Sequence, residues 1–142
     1  MLIRHPKNHM DMARLTQMLE EYPISKFYKM DPPDVIQSLI TSIYSGSLKA
    51  LVAFDANGDA VGFLLYRYNF YMKQCFFCDL YVKTGQRGSN TGISMVKHAM
   101  REALADGLTS GRMNVEGYAP NVWERIVGGR VTPVTEYIWE AE

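Results

Sequence analysis

At 142 residues the chain is long enough to bury one substantial core, and residues 1–142 read as a single domain. Its 15 basic and 15 acidic side chains cancel, which removes any bulk electrostatic case for nucleic acid or an anionic membrane. No apolar run reaches transmembrane length, and the opening MLIRHPKNHM lacks the apolar centre of a signal peptide, so the expected location is the cytoplasm.

In chain order, Leu2 to Arg4 is apolar enough for an opening strand. Asn8 followed by Asp11 reads as a helix cap, with Met12, Leu15, Leu19 and Tyr22 on one face. Tyr22 to Met30 is an aromatic-bearing connection that includes Pro23, Phe27 and Tyr28. Asp31-Pro32-Pro33-Asp34 starts a second helix with a capping Asp, Pro in the first turn and a further acid near its positive end. Val35, Leu39, Ile40 and Ile43 form its buried face, and Gly46 ends it.

Strands follow over Leu48 to Phe54 and Ala60 to Phe70, joined by the hairpin signal Asp55-Ala56-Asn57-Gly58-Asp59. Alternation places Tyr66, Tyr68 and Phe70 on one face, as a packing stripe would be. A brief turn near Tyr71 to Lys73 leads to a third strand, Cys75 to Val82, rich in aromatic and β-branched residues. Lys83 to Thr91 then supplies Gly85, Gly88, Ser89 and Asn90, residues that tolerate positive φ or cap a helix. From Ile93 the apolar positions become helical, with Ile93, Val96, Met100, Ala103 and Leu104 on one face and Gly107 as the residue past the C-terminus. Arg112 to Tyr118 reads as a strand, Asn121 to Val127 as a short helix, and Arg130 to Trp139 as a last strand introduced by Gly128-Gly129.

A strand, a glycine-bearing turn and a helix in this order aim backbone N–H groups and the positive helix end at one point, which suits a phosphate or diphosphate. Cys75 and Cys78 form a C-x-x-C spacing. An offset of three in a strand sends the two thiols to opposite faces, no second cysteine pair exists, and His5, His9 and His98 are scattered. Buried structural thiols are therefore expected, and no metal.

Leu80-Tyr81-Val82 followed by Arg87-Gly88-Ser89-Asn90-Thr91-Gly92 resembles the acetyl-CoA loop of the GNAT N-acetyltransferase superfamily. That loop runs Arg/Gln-x-x-Gly-x-Gly/Ala; Arg87 matches its first position, Gly92 its last, and Asn90 stands where the middle glycine is usual. Asn is the non-glycine residue best able to adopt a left-handed backbone. The element order resembles the same family along nearly the whole chain. The resemblance implies an α/β fold with a mixed, mostly antiparallel central sheet flanked by helices. It implies an acetyl-CoA-dependent N-acetyltransferase acting by direct attack of a primary amine.

By that resemblance, the backbone of Gln86, Arg87, Gly88, Ser89, Asn90, Thr91 and Gly92 would hold the cofactor, with Arg87 as a charged phosphate contact and Ser89 or Thr91 adding hydroxyl donors. The backbone around Leu80 and Val82 would supply the donor to the thioester carbonyl, and Asn121 a hydrogen bond to the pantetheine arm. Asp79 sits where relatives place a strand carboxylate and is the first candidate base, with Glu116 second. The family often has a general-acid Tyr four residues before the glycine that follows its short helix; here Glu124 or Arg125 occupies that place, and Tyr118 is the substitute candidate. Tyr22, Phe27 and Tyr28 fall in the segment that commonly lines the acceptor site in relatives. The partner expected is thus a small-molecule or protein amine, with no nucleic acid and no membrane. A homodimer through an exposed sheet edge is the self-association that the resemblance suggests. The alternative is a catalytically idle GNAT-fold module serving in binding or assembly.

Overall fold

Two hydrophobic layers, one on each face of a sheet, account for the continuous apolar runs of the middle strands. The computed structural model describes residues 1–87, 90–114, 128–129 and 137–141. Its elements are β1 (Leu2–Arg4), α1 (His9–Glu21), α2 (Pro32–Ser45), β2 (Lys49–Phe54), β3 (Ala60–Asn69), β4 (Gln74–Val82), α3 (Thr91–Ala105) and β5 (Ser110–Met113). Short 3-10 turns occupy Ile24–Lys26 and Thr84–Gln86. The strands lie in the order β1-β2-β3-β4-β5, antiparallel except for the parallel pair β4–β5. This is the mixed, mostly antiparallel sheet flanked by helices that the sequence led us to expect.

Along β2 and β3 successive side chains enter opposite cores, as the period of two requires. Ala50, Val52, Phe63 and Leu65 pack with Met12, Leu15, Leu19, Val35 and Leu39 under α1 and α2. Leu51, Leu64 and Tyr66 pack with Met95, Val96, Ala99 and Ala103 under α3. At Gly62 a Cβ would sit 2.8 Å from the carbonyl oxygen of Tyr81, so the close pairing of β3 with β4 requires a residue without one there.

The helix boundaries hold, although Asp31 stands at the start of α2 without a side-chain bond to the helix, where Pro32 and Pro33 have no amide hydrogen to offer it. Asn8 caps α1 by accepting from the Asp11 amide at 2.9 Å, and Gly46 leaves α2 with φ 83°. The stripe expected on α3 is turned from the observed one. Leu104 is 65% exposed, while the buried line runs Met95, Val96, Ala99 and Ala103. Both lines have helical spacing, and only the position of the sheet selects between them. The strand read over 112–118 begins earlier, at Ser110, and its residues beyond 114 lie outside the described residues, as does the helix read over 121–127. Of the last strand, read over 130–139, only residues 137–139 are described, and these have no regular secondary structure.

β4 carries one irregularity that positions the site. Tyr66 of β3 faces Phe77 and Leu65 faces Asp79, so Cys78 is an extra residue on β4, a β-bulge. Before the bulge Cys75 and Phe77 point into the α3 core. After it Leu80 and Val82 do so, while Cys78 and Tyr81 pack on the α1–α2 side. The bulge turns Asp79 to that same side.

Two carboxylates tie the helices to the sheet. Asp11, 1% exposed, accepts from the Arg4 guanidinium, at 3.2 Å from Nη2, and from the Lys7 amide at 2.8 Å. The hydrogen bond from Arg4 holds its carboxyl below the usual range, against the opposing effect of burial. Glu102 on α3 accepts from the Tyr66 hydroxyl at 2.9 Å and meets His5 Nε2 at 2.8 Å and His98 Nε2 at 3.1 Å. Burial pushes the Glu102 carboxyl up, and its bonds with His5, Tyr66 and His98 outweigh that, leaving it lowered. Two of the histidines scattered in the sequence thus meet on one carboxylate.

Because both carboxyls are lower in the folded chain, their stabilisation is complete above the ordinary carboxylate range of about 4 to 4.5. It is lost as the pH falls through the lower folded values. Thermal melts should therefore show a falling midpoint below about pH 4, and Asp11→Asn should flatten that fall. Loss of a hydrogen bond to a charged group predicts a cost of roughly 1.5–3 kcal/mol at neutral pH for Asp11→Asn, measurable by urea unfolding.

Candidate functional site

β4 delivers the two halves of the site. Its end leads through the Thr84–Gln86 turn into α3, and its bulge presents Asp79 on the opposite side of the sheet from α3. Pairing of β4 with β5 covers Gln74 to Phe77. Among the described residues, the ladder on that edge of β4 stops at the bulge.

At the end of β4, Lys83 donates from its amide to Val61 O at 2.9 Å, and Arg87 Nε donates to Val82 O at 3.0 Å. Arg87 thereby folds the turn back onto the strand while its exposed guanidinium stays at the surface beside α3. Asn90 stands immediately before α3 with φ 60° and ψ 17°, the left-handed conformation that a glycine would otherwise supply. Its side chain makes no capping bond to the helix. Gly92, in the first turn, faces Leu80 and Val82; a Cβ there would lie 3.5 Å and 3.6 Å from their methyl groups, an ordinary contact. Thr91 is buried and Gln86 partly so. Gly88 and Ser89 lie outside the described residues, as do Glu116, Tyr118 and Asn121, together with Glu124 and Arg125.

Asp79 is 5% exposed. A carboxylate that deep needs donors to offset the loss of water, and two phenols provide them. Tyr22 donates to Oδ1 at 2.9 Å and Tyr28 to Oδ2 at 2.5 Å. Tyr22 is itself buried at 8% and is wedged among Phe27, Phe63 and Tyr81, at ring separations of 5.4, 5.3 and 5.9 Å. Tyr28 is only half-buried. Burial, reinforced by the adjoining Asp79 carboxylate, pushes the Tyr28 phenol well above its ordinary value, so it carries its proton at neutral pH. Tyr81 donates to Glu21 at 3.1 Å on the rim.

Of the residues singled out in the sequence, Leu80, Val82, Gln86, Arg87, Asn90, Thr91 and Gly92 come together around the β4–α3 junction. Asp79 joins Tyr22 and Tyr28 instead, because the bulge sends it to the face opposite Phe77. The sequence marks the tyrosines as part of an aromatic connection in the segment that lines the acceptor site in relatives; a carboxylate 51 residues from Tyr28 leaves no local signal of the pairing. Cys75 and Cys78 do fall on opposite faces, and burial pushes the Cys75 thiol up to about 12. Among the described residues no group of three or more His, Cys, Asp or Glu side chains is arranged to hold a metal ion. No helix among them is long and apolar enough to cross a membrane.

Asn90 already occupies the region of φ that penalises side chains with a Cβ branch. Asn90→Gly should therefore leave stability unchanged or slightly raised. Asn90→Val should cost about 1–3 kcal/mol by denaturant titration, the strain of a branched residue held at positive φ.

No protein-family model matches the chain, and no curated protein matches it in sequence. Solved structures do match in fold. A probable acetyltransferase superposes with a TM-score of 0.79 at 14% identity, over 100% of this chain and 99% of its own. A ribosomal-protein-alanine N-acetyltransferase from Brucella melitensis biovar Abortus 2308 gives 0.71 at 14%, over 99% of this chain and 98% of its own. An aminoglycoside 6'-N-acetyltransferase complexed with coenzyme A gives 0.60 at 17%, over 78% of this chain and 58% of its own. The sheet order, the β-bulge and the β4–α3 junction, together with these superpositions, give the chain the fold of the GNAT acetyltransferase superfamily.

Proposed function

We propose that the protein is an acetyl-CoA-dependent N-acetyltransferase that acts on a primary amine of a small molecule or a protein. The observation that carries the reading is the left-handed Asn90 opening α3 directly beyond β4. A left-handed residue at this position is what the middle glycine of an acetyl-CoA loop would supply, which supports the reading. The matched structures are called acetyltransferases, and one of them is complexed with coenzyme A, which favours the same reading.

The residues present fit the cofactor. The positive end of a 15-residue helix, the Arg87 guanidinium and the backbone of residues 86–92 would take the phosphates. The edge of β4 beyond the bulge, around Leu80 and Val82, would meet the thioester arm with main-chain groups. Acetyl-CoA supplies the acetyl group as a thioester, already activated toward amines. The protein's remaining task is to free the acceptor nitrogen of its extra proton, because an ammonium has no lone pair. Asp79 is the proton acceptor in this reading, on the side of the sheet where the α1–α2 connection brings Phe27 and Tyr28 over it.

Calorimetric titration with acetyl-CoA and with free CoA tests the proposal. Saturable binding is expected, and Gly92→Leu should abolish it, because a side chain larger than a methyl group would press on Leu80 and Val82 and push the start of α3 away from β4. Gly92→Ala should bind normally, since its Cβ makes only ordinary contacts. An absence of binding to folded wild-type protein would overturn the enzyme reading and leave an assembly module with this fold. With binding established, thiol release in a primary-amine screen identifies the acceptor. Asp79→Asn should then slow turnover by about 100-fold while sparing acetyl-CoA affinity.

A further inference from the structure

Asp79 is too enclosed to meet an acceptor by itself. Both of its oxygens accept phenol protons, Oδ1 from Tyr22 and Oδ2 from Tyr28. The carboxylate is 5% exposed and Tyr22 8%, so of these three side chains only the half-buried Tyr28 reaches outward to an appreciable extent. Among the described residues, Tyr28 is the member of this trio that an amine arriving from solvent would reach first. The Tyr28 oxygen donates its own hydrogen inward at 2.5 Å, so its lone pairs are turned away from Asp79.

We infer that Tyr28 is the group that takes the acceptor's proton and Asp79 the place where that proton is stored, a two-member relay held in register by Tyr22. This rests on the acetyltransferase reading. The balance is simple. The ammonium N–H bond breaks and its proton passes to Tyr28 Oη; in the same movement the Tyr28 hydroxyl proton passes to Asp79 Oδ2. The products are a neutral amine, an unchanged tyrosine and a neutral carboxylic acid. The amine then forms the new C–N bond as the C–S bond breaks, and the departing thiolate takes the second proton from nitrogen. Asp79 returns its proton to solvent through Tyr28 after product leaves.

Relay and simple burial differ in what the phenol does. A tyrosinate persisting at Tyr28 is disfavoured, because desolvation and the neighbouring carboxylate both oppose a negative oxygen there. A concerted shuttle never accumulates that charge. Among the described residues, Arg67 and Cys78 are the other ionisable groups that act on Tyr28, and Tyr22 is the second donor to the carboxylate. Tyr22 is a positioning residue: its bond to Oδ1 fixes the carboxylate so that Oδ2 faces Tyr28.

Three measurements on the full chain test the relay. The first needs neither acetyl-CoA nor acceptor. In protein labelled with 13C at the tyrosine ζ carbon, the Tyr22 and Tyr28 signals should both shift in Asp79→Asn, because both hydroxyls donate to that carboxylate. A Tyr28 signal unmoved by that substitution, with the Tyr66 signal reporting an intact fold, would overturn the relay.

The second measurement uses the amine giving the most thiol release in the screen. Tyr28→Phe should lower kcat by about 100-fold, remove the acidic limb of the pH profile, and leave calorimetric affinity for acetyl-CoA unchanged. The double variant with Asp79→Asn should be no slower than either single one. Wild-type turnover in Tyr28→Phe, beside a slow Asp79→Asn, would overturn the proposal by showing that the amine reaches the carboxylate directly.

The third measurement concerns Tyr22→Phe, which should retain the acidic limb at a reduced rate; its complete loss would assign the relay to Tyr22 and overturn the role given to Tyr28. Failure of the parent reading looks different, because wild-type protein would then bind no acetyl-CoA at all.

Discussion

One extra residue in β4 organises the molecule around its site. A strand without a bulge alternates strictly, and Asp79 would then share a face with Phe77 and enter the apolar core under α3. With Cys78 inserted, the alternation restarts, and the carboxylate emerges on the side where α1 and the following connection hold two tyrosines. The same irregularity falls next to the last β4–β5 pair among the described residues.

The two cores divide the work. Under α1 and α2, aromatic rings crowd around Tyr22, whose contacts with Phe27, Phe63 and Tyr81 fix the orientation of its hydroxyl. A hydrogen bond to a buried carboxylate is worth most when its donor has nowhere else to point. Under α3, Met95, Val96 and Ala99 pack against Leu51 and Leu64 with Tyr66 and Phe77 beside them, and the polar contacts gather where the Tyr66 hydroxyl and Glu102 meet His5 and His98. That cluster ties the residue after β1 to α3, and Asp11 ties α1 to β1 through Arg4. The first contact joins residues 97 apart along the chain, and the second joins residues only seven apart on consecutive elements.

The helix caps, the Asp55–Asp59 turn and the apolar faces of α1 and α2 were legible because each depends on neighbours within four or five residues. Asn8 meets the Asp11 amide, and Asp55 accepts from the amides of Asn57 and Asp59. Asn90 belongs to the same class: its tolerance of positive φ is intrinsic to the residue, and the chain uses it. The stripe on α3 was less legible, because Leu104 and Met95 both satisfy helical spacing and only the location of the sheet decides which is covered.

The sequence by itself determined the order of the elements, the strand–turn–helix at residues 74–105 and the presence of an acid on β4, since propensity, capping and periodicity are local properties of the chain. Tertiary structure alone decided which way that acid points. The bulge at Cys78 is a mismatch between two paired strands, and neither strand contains it separately. It likewise decided that Tyr22 and Tyr28, 57 and 51 residues away, would share Asp79, and that His5 and His98 would meet at Glu102. Such meetings depend on how the sheet is registered and how the helices are laid across it, and distance along the chain carries no trace of either.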